Sequence, residues 1–319
     1  MEKQKIKVGI LCITLNPPYW SFAHEMISGV NRFFLKHPSI KDKYETDIML
    51  WSDMPETPQD IQQKVAEYLV SRKEAKTSVV SSVAMEILLD DAKKKEVNDL
   101  INGVLEIRKS VKVFPTEPVE WPLPTLLRYN LFLQQEEELQ KYDYLFYVDI
   151  DMRITDWIGE EIIGNGLTAA QHPMYALKRN LQPPYEPNPE STAYIPLPGR
   201  FVEENGKKRF ESLYYAGGFQ GGKTEDFIKA MKVMKGKVEK DFNKNYIAIW
   251  NDESHWNRYL YENPPAIVLN PSYVYPDSLI ADYYFKIWGR NYSPKIMTLT
   301  KAFTTSAEGG AAVQKLISL

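Results

Sequence analysis

The sequence predicts an α/β fold whose sheet begins parallel. Three observations carry that prediction: an opening strand–helix–strand pattern, short apolar runs that end in polar turns, and apolar residues at helical spacing between them. The 319 residues are enough to bury a large core, as one big α/β domain or two smaller ones. A hydrophobic content of 44% with 25% charged residues is that of a globular chain and excludes wholesale disorder. A net charge of −3 argues against a general nucleic-acid binder. The single cysteine, Cys12, lies in an apolar run, excludes an intramolecular disulfide and makes a cysteine metal site improbable. No apolar run approaches about 20 residues, so no membrane span is expected. Lysines precede the first apolar run as in a signal peptide. That run is short, rich in β-formers and without a small-residue cleavage site, so it reads as a strand of a cytoplasmic protein.

Residues 6–14 (IKVGILCIT) read as a buried strand, and residues 20–36 place Ala23, Met26, Ile27, Val30, Phe33 and Phe34 on one helical face. Residues 44–51 (YETDIMLW) return to strand. Thr57 and Pro58 signal the N-cap and first turn of a helix carrying Ile61, Val65 and Tyr68/Leu69. Residues 76–110 read as further helix with a solvated charged centre. Strand 111–114, helix 126–140 and the apolar strand ending at Val148 follow. Asp156 is the expected cap of a short helix to Ile163. Residues 178–212 read as a long loop of the kind that forms lids or binding walls. A strand at 212–217, the glycine-rich GGFQGG, a helix at 224–240, a strand at 246–250, a helix at 252–261 and a strand at 266–270 complete the pattern. The tail carries Lys286, Arg290, Lys295 and Lys301 among aromatics.

Two stretches suggest chemistry. At residues 142–153 (YDYLFYVDIDMR) a strand runs into Asp149 and Asp151. Carboxylates at i and i+2 of extended backbone point the same way and converge on one hard cation able to bridge nucleotide phosphates. The same pair also suits a strand-end turn capped by Asp. Residues 217–224 (GGFQGGKT) match G-x-x-x-x-G-K-[ST], in which Lys223 reaches phosphates and Thr224 ligates magnesium in an ATP- or GTP-hydrolysing enzyme. The alternative is a tightly packed glycine segment before a helix capped by Thr224. Position disfavours the phosphate loop, which usually follows the first strand of its domain.

Other segments join these in order: WPLPTLLR (121–128), His172-Pro173, Tyr185-Glu186 with STAYIP (191–196), YYAGGFQGG (214–222) and WNDESHWNRY (250–259). Together they resemble glycosyltransferase family 6, which includes the histo-blood-group A and B transferases, α1,3-galactosyltransferase and smaller bacterial relatives. The resemblance is weak in the first half and strong from Trp121 to about Tyr275. It implies a GT-A fold with a Rossmann-like nucleotide-binding half and a central mixed sheet. In that scheme residues 1–153 bind nucleotide around a helical insertion at about 55–110, residues 154–283 bind donor sugar and acceptor, and residues 284–319 form a C-terminal tail. The implied reaction moves N-acetylgalactosamine or galactose from a UDP-sugar to a galactose 3-hydroxyl of a glycan, with retention of configuration.

The resemblance also implies roles. Asp149 and Asp151 match the metal motif that holds Mn2+, or another divalent cation, against the UDP diphosphate. Glu253 matches the catalytic carboxylate, Asp252 a ligand of donor-sugar hydroxyls, and Arg128 a contact to donor sugar and Asp149. Ala216 and Gly218, flanking Gly217, match the pair that sets donor choice, and their small size favours UDP-GalNAc over UDP-Gal. His172 and Trp121 match the acceptor wall, while Trp51 and Ile13 are candidates for the uracil pocket. Departures fall at Asn251, Pro187, Asn188, Met174 and residues 199–212, and concern acceptor identity more than donor chemistry. The absence of an anchor and stem resembles the soluble bacterial or phage-type members. Lys286, Arg290 and Lys295 could close over the diphosphate. A non-catalytic glycan-binding relative is the remaining alternative, against which the intact Asp149, Asp151 and Glu253 count.

Overall fold

The computed structural model describes residues 4–72, 91–119, 121–177, 183–196, 201–204, 207–210, 213–277 and 292–299. Its strands are β1 (Ile6–Thr14), β2 (Tyr44–Ser52), β3 (Lys112–Pro115), β4 (Tyr144–Val148), β5 (Met152–Ile154), β6 (Leu167–Gln171), β7 (Phe201–Glu204), β8 (Lys207–Phe210), β9 (Tyr215–Lys223), β10 (Ile267–Leu269), β11 (Tyr275–Pro276) and β12 (Ile296–Thr298). Its helices are α1 (Pro17–Phe33), α2 (Pro58–Arg72), α3 (Asp91–Ser110), α4 (Leu123–Leu126), α5 (Arg128–Leu133), α6 (Glu136–Leu139), α7 (Pro173–Leu177), α8 (Thr224–Phe242) and α9 (Asn251–Glu262).

Seven strands form the central sheet in the order β10-β6-β9-β4-β1-β2-β3. All run one way except β9, which pairs antiparallel with β4 and β6, so the sheet is mixed. Both sheet faces are covered, which explains why β1 and β2 are nearly continuous apolar runs rather than alternating ones. Successive side chains point to opposite faces. Val8, Ile10 and Cys12 accordingly pack with α1 residues such as Trp20, Met26 and Val30. Leu11, Ile13 and Tyr147 pack with Tyr129 and Phe132 of α5, Met231 of α8 and Trp256 of α9. A smaller sheet, β11-β12-β5, lies beyond the acidic turn, and β7 and β8 form a hairpin.

The opening strands, α1, α2 and the strands following them lie where the sequence predicts. Thr57 caps α2, taking the Asp60 N–H at 3.2 Å, with Pro58 as the first helical residue. Residues 76–90 of the expected helix lie outside the described residues, and α3 begins at Asp91.

Several expectations are corrected. The helix expected over 126–140 is three short ones, because Arg128 turns inward and its Nε takes the Thr125 carbonyl at 3.1 Å. Asp156 accepts from its neighbour Trp157 N, and the one-turn helix Glu160–Ile162 starts after Gly159. Residues 246–250 are not a strand. Ile249 N donates to the buried Glu186 carboxylate at 2.7 Å, so a side chain supplies the partner that a neighbouring strand would have offered. The loop expected at 178–212 contains the β7–β8 hairpin. Lys295 does not stand free for phosphate: its Nζ lies 2.6 Å from Glu161 and 5.5 Å from the Tyr273 ring centre. Lys286 and Arg290 lie outside the described residues.

The largest correction concerns GGFQGGKT. Residues 217–223 are not a loop but the interior of β9, with Phe219–Lys223 paired to β4 and Gln220–Gly222 to β6. The strand has no concave run of free N–H groups for phosphates, which removes the ATP- or GTP-hydrolysing alternative. Lys223 pairs with Glu225 at 2.5 Å. The glycines answer to packing. A Cβ on Gly221 would sit 2.3 Å from the Leu145 carbonyl oxygen and 2.8 Å from Phe146 Cα. Gly222, at φ +131°, passes within 2.2 Å of the Gly166 carbonyl by the same measure. These obstacles are backbone, which has least room to yield. Gly221→Ala is therefore expected to cost about 3 kcal/mol or more of stability, read as a lowered denaturant midpoint at unchanged slope.

Candidate active site

The sheet places two polar strand ends beside one another. Asp149 follows β4, and its N–H donates to the Gly218 carbonyl at 3.0 Å, so it is held at the middle of β9. The chain then turns, with Met152 N donating to the Asp149 carbonyl at 3.2 Å. Asp149 and Asp151 thus belong to a turn rather than to extended backbone, which corrects the strand geometry expected for them. Leu299 N donates to the Asp151 carbonyl at 2.8 Å, which seats the segment after β12 against that turn.

Arg128 is almost wholly buried in the centre. Its Nη1 lies 3.1 Å from Asp252 Oδ2 and donates to the Gly217 carbonyl at 3.2 Å, while Nη2 lies 3.6 Å from Asp149 Oδ1. The guanidinium carbon sits 4.1 Å above the Tyr147 ring centre, and the Tyr147 hydroxyl donates to Asp149 Oδ1. Burial works to lower the guanidinium pKa, but Asp252, Tyr147 and Asp149 more than offset it and raise that pKa.

Helix α9 presents Asp252 and Glu253 in its first turn. Glu253 Oε2 accepts the Gly217 N–H at 2.7 Å. Burial lifts the Glu253 carboxyl to about 7 against the opposing effect of Tyr214 and the Gly217 N–H, and lifts Asp252 to about 6 against Arg128. Asn257, four residues on, accepts Tyr215 N and donates to Tyr215 O, each at 2.8 Å, and also donates to the Glu253 carbonyl. It thereby staples α9 to β9, a role its place in the sequence did not reveal. Asn251 starts the helix at φ 50°, a left-handed conformation that asparagine tolerates better than most residues.

The remaining candidates surround this centre. Ala216 is buried in β9, and a Cβ on Gly217 would meet Glu253 Cβ at 3.1 Å. His172 lies in an aromatic group with Tyr175 and Tyr214 at centroid distances of 5.2 and 5.7 Å. Burial lowers its pKa to about 4, and its Nδ1 accepts Met174 N at 3.3 Å, so the ring is neutral. Trp121 is 54% exposed. Ile13 and Trp51 are register partners on β1 and β2. Trp51 is 1% exposed, stacked on the half-buried Phe114 at 4.7 Å and edge-on to Phe132.

Asp149 and Asp151 fit a hard divalent ion in part. Asp149 Oδ1 is engaged by Tyr147 and Arg128, and Oδ2 faces Gly218, where a Cβ would come within 2.7 Å of it. Among the described residues no three His, Cys, Asp or Glu side chains form a metal cluster. Two carboxylates completed by substrate phosphates and water are a usual set for an ion of the magnesium type. No helix among the described residues is long and apolar enough to cross a membrane.

This mixed sheet with its flanking helices is that of a GT-A-like glycosyltransferase. The model of the family described as Glycosyltransferase family 6 matches residues 126–288, just over half of the chain, and the chain belongs to that family. It is 36% identical over 138 residues to the rat histo-blood group ABO system transferase 1, covering 43% of this chain and 36% of that protein. It is 29% identical over 193 residues to the Escherichia coli O-antigen biosynthesis glycosyltransferase WbnI, covering 60% and 74%. Against the chicken globoside alpha-1,3-N-acetylgalactosaminyltransferase 1 the identity is 33% over 142 residues, covering 44% and 38%. The chain therefore spans little more than a third of these vertebrate relatives and about three quarters of the bacterial one.

The electrostatics have a measurable consequence in protein free of metal and donor. A carboxyl raised to about 7 in the folded state, against an ordinary value near 4.5, favours folding only while protonated. Its contribution falls as pH rises from about 4.5 through 7. Glu253→Gln should therefore raise stability at pH 8 by about 1–2 kcal/mol, less than full burial would give because Glu253 keeps one face to solvent, with no gain near pH 4.5. Denaturant titrations at both pH values measure this.

Proposed function

We propose that the protein is a retaining α-1,3-glycosyltransferase that moves N-acetylgalactosamine, or galactose, from a UDP-sugar to a galactose-terminated glycan. One observation carries the reading: Arg128 joins Asp149 to Asp252, and Gly217 accepts from Arg128 while donating to Glu253. In this reading residues 1–153 bind the nucleotide and residues 154–283 bind donor sugar and acceptor. Asp149 and Asp151 hold Mn2+ or a similar divalent ion, which when bound offsets the charge of the diphosphate. Arg128 adds a fixed positive charge on the same side. Asp252 takes donor-sugar hydroxyls. Glu253 faces the anomeric carbon, with Oε2 held by Gly217 N–H, as nucleophile or as stabiliser of the positive charge developing on the sugar. The bond from the anomeric carbon to the phosphate oxygen breaks, a bond to the acceptor oxygen forms, and UDP and a proton are released.

The small residues at Ala216 and Gly218 favour UDP-GalNAc, with the Met152 and Asp149 side chains packed against Gly218. The names of the rat and chicken relatives suit donors and acceptors of this kind. His172 and Trp121 form the acceptor wall, the neutral imidazole offering a hydrogen bond and the exposed indole an apolar face for a sugar. Ile13 lies at the base pocket, and the buried Trp51, covered by Phe114, supports that pocket from within the core rather than stacking on the base.

The test is UDP release from UDP-GalNAc, UDP-Gal and UDP-Glc, with manganese and with EDTA. Release from a galacto-configured donor only with manganese is expected, together with at least a hundredfold loss in Asp151→Asn. Undiminished turnover of Asp151→Asn in EDTA would overturn the metal assignment. Release of UDP from none of the three donors, with galactose-terminated acceptors present, would overturn the activity itself.

A further inference from the structure

Gln220 is the one amide on the inward face of β9 where Leu145, Tyr147, Ala169 and Tyr215 otherwise make an apolar layer. It has no solvent exposure, and neither has Tyr129 of α5 opposite it. A buried amide is costly unless its groups are satisfied. Here the Tyr129 hydroxyl donates to Gln220 Oε1 at 2.9 Å, while Nε2 donates to the Gly217 carbonyl at 3.0 Å and lies 3.4 Å from Asp252 Oδ2. The opposite amide orientation would set its oxygen against two acceptors, so the chemistry of the neighbours fixes which end faces Asp252.

These two acceptors are the same ones that Arg128 Nη1 reaches, at 3.2 and 3.1 Å. Arg128 supplies charge, but Asp149 also draws it and it rests on the Tyr147 ring. A guanidinium shared between two carboxylates defines the position of neither by itself. Gln220 is neutral, built into a central strand, and braced by Tyr129 on a separate element. We propose that Gln220, oriented by Tyr129, is a positioning residue for donor specificity: bonded to Asp252 Oδ2 and the Gly217 carbonyl, it holds the Asp252 carboxylate where it meets the hydroxyls of the donor sugar. The inference rests on the donor-sugar role proposed for Asp252. It assigns Gln220 no contact with the uridine or the diphosphate.

The experiment compares wild type, Gln220→Met, Tyr129→Phe and the double variant by calorimetric Kd for UDP and for the better donor of UDP-GalNAc and UDP-Gal, with manganese, alongside Tm. Gln220→Met strands the Tyr129 hydroxyl and should lower Tm. The double variant replaces both partners by apolar groups of similar shape and should recover most of that Tm. Donor Kd should rise about tenfold in both Gln220→Met and the double variant, the loss expected for a hydrogen bond to a charged group, with the UDP Kd within twofold of wild type. Recovery of donor Kd together with Tm in the double variant would overturn the inference and leave Gln220 a packing residue. Equal weakening of UDP and donor would overturn it as well. Wild-type protein that binds neither UDP nor either donor would instead overturn the proposed function, and this inference with it.

Discussion

The structure of the site depends on one buried cation. Among the described residues, Arg128 is the positive charge packed among Asp149, Asp252 and, through Gly217, Glu253. A guanidinium taken out of water loses several kilocalories of hydration that only close, well-aligned partners restore. Its neighbours are therefore constrained as well. Tyr147 supplies a ring face below it, Thr125 a carbonyl behind it, and β9 a carbonyl in front. Removing any partner would leave a charge buried without compensation, so the strand ends β4 and β9 and the helix start at Asp252 are interdependent.

The same charge count bears on what the site accepts. Asp149, Asp252 and Glu253 crowd about one guanidinium, which sets like charges against each other. The raised carboxyls of Asp252 and Glu253 are its visible sign, with burial the larger cause. In the proposed reading a divalent ion adds positive charge where a diphosphate would approach these carboxylates.

Strand β9 is the scaffold of this arrangement. As the only strand of its direction in the sheet, it brings its own N-terminal half to the edge where β4 ends. Gly217 then serves two groups of opposite need, its N–H holding Glu253 and its carbonyl receiving Arg128 and Gln220. Backbone atoms suit this task because the sheet on both sides fixes them. Asn257 carries the rigidity into α9 by pairing with Tyr215 much as another strand would.

The apolar runs of β1, β2 and β4, the caps at Thr57 and Pro58, and the ordered segments from Trp121 to Tyr259 were legible locally. Each depends on residues near one another in the chain. They conveyed the α/β class, the family and the residues later found around Arg128. The direction of β9, the turn holding Asp149 and Asp151, and the polar partners Gln220, Tyr129 and Asn257 were not legible, because each is decided by contacts some 40 to 90 residues apart. GGFQGGKT shows the difference most plainly. Its spelling suits a phosphate loop, yet carbonyls and Cα atoms of β4 and β6 leave no space there for a Cβ, so the glycines serve the sheet. Sequence alone determined which residues have the chemistry. Tertiary structure decided which of them meet, because only the packed sheet places a carbonyl, a guanidinium and three carboxylates within a few ångströms of each other.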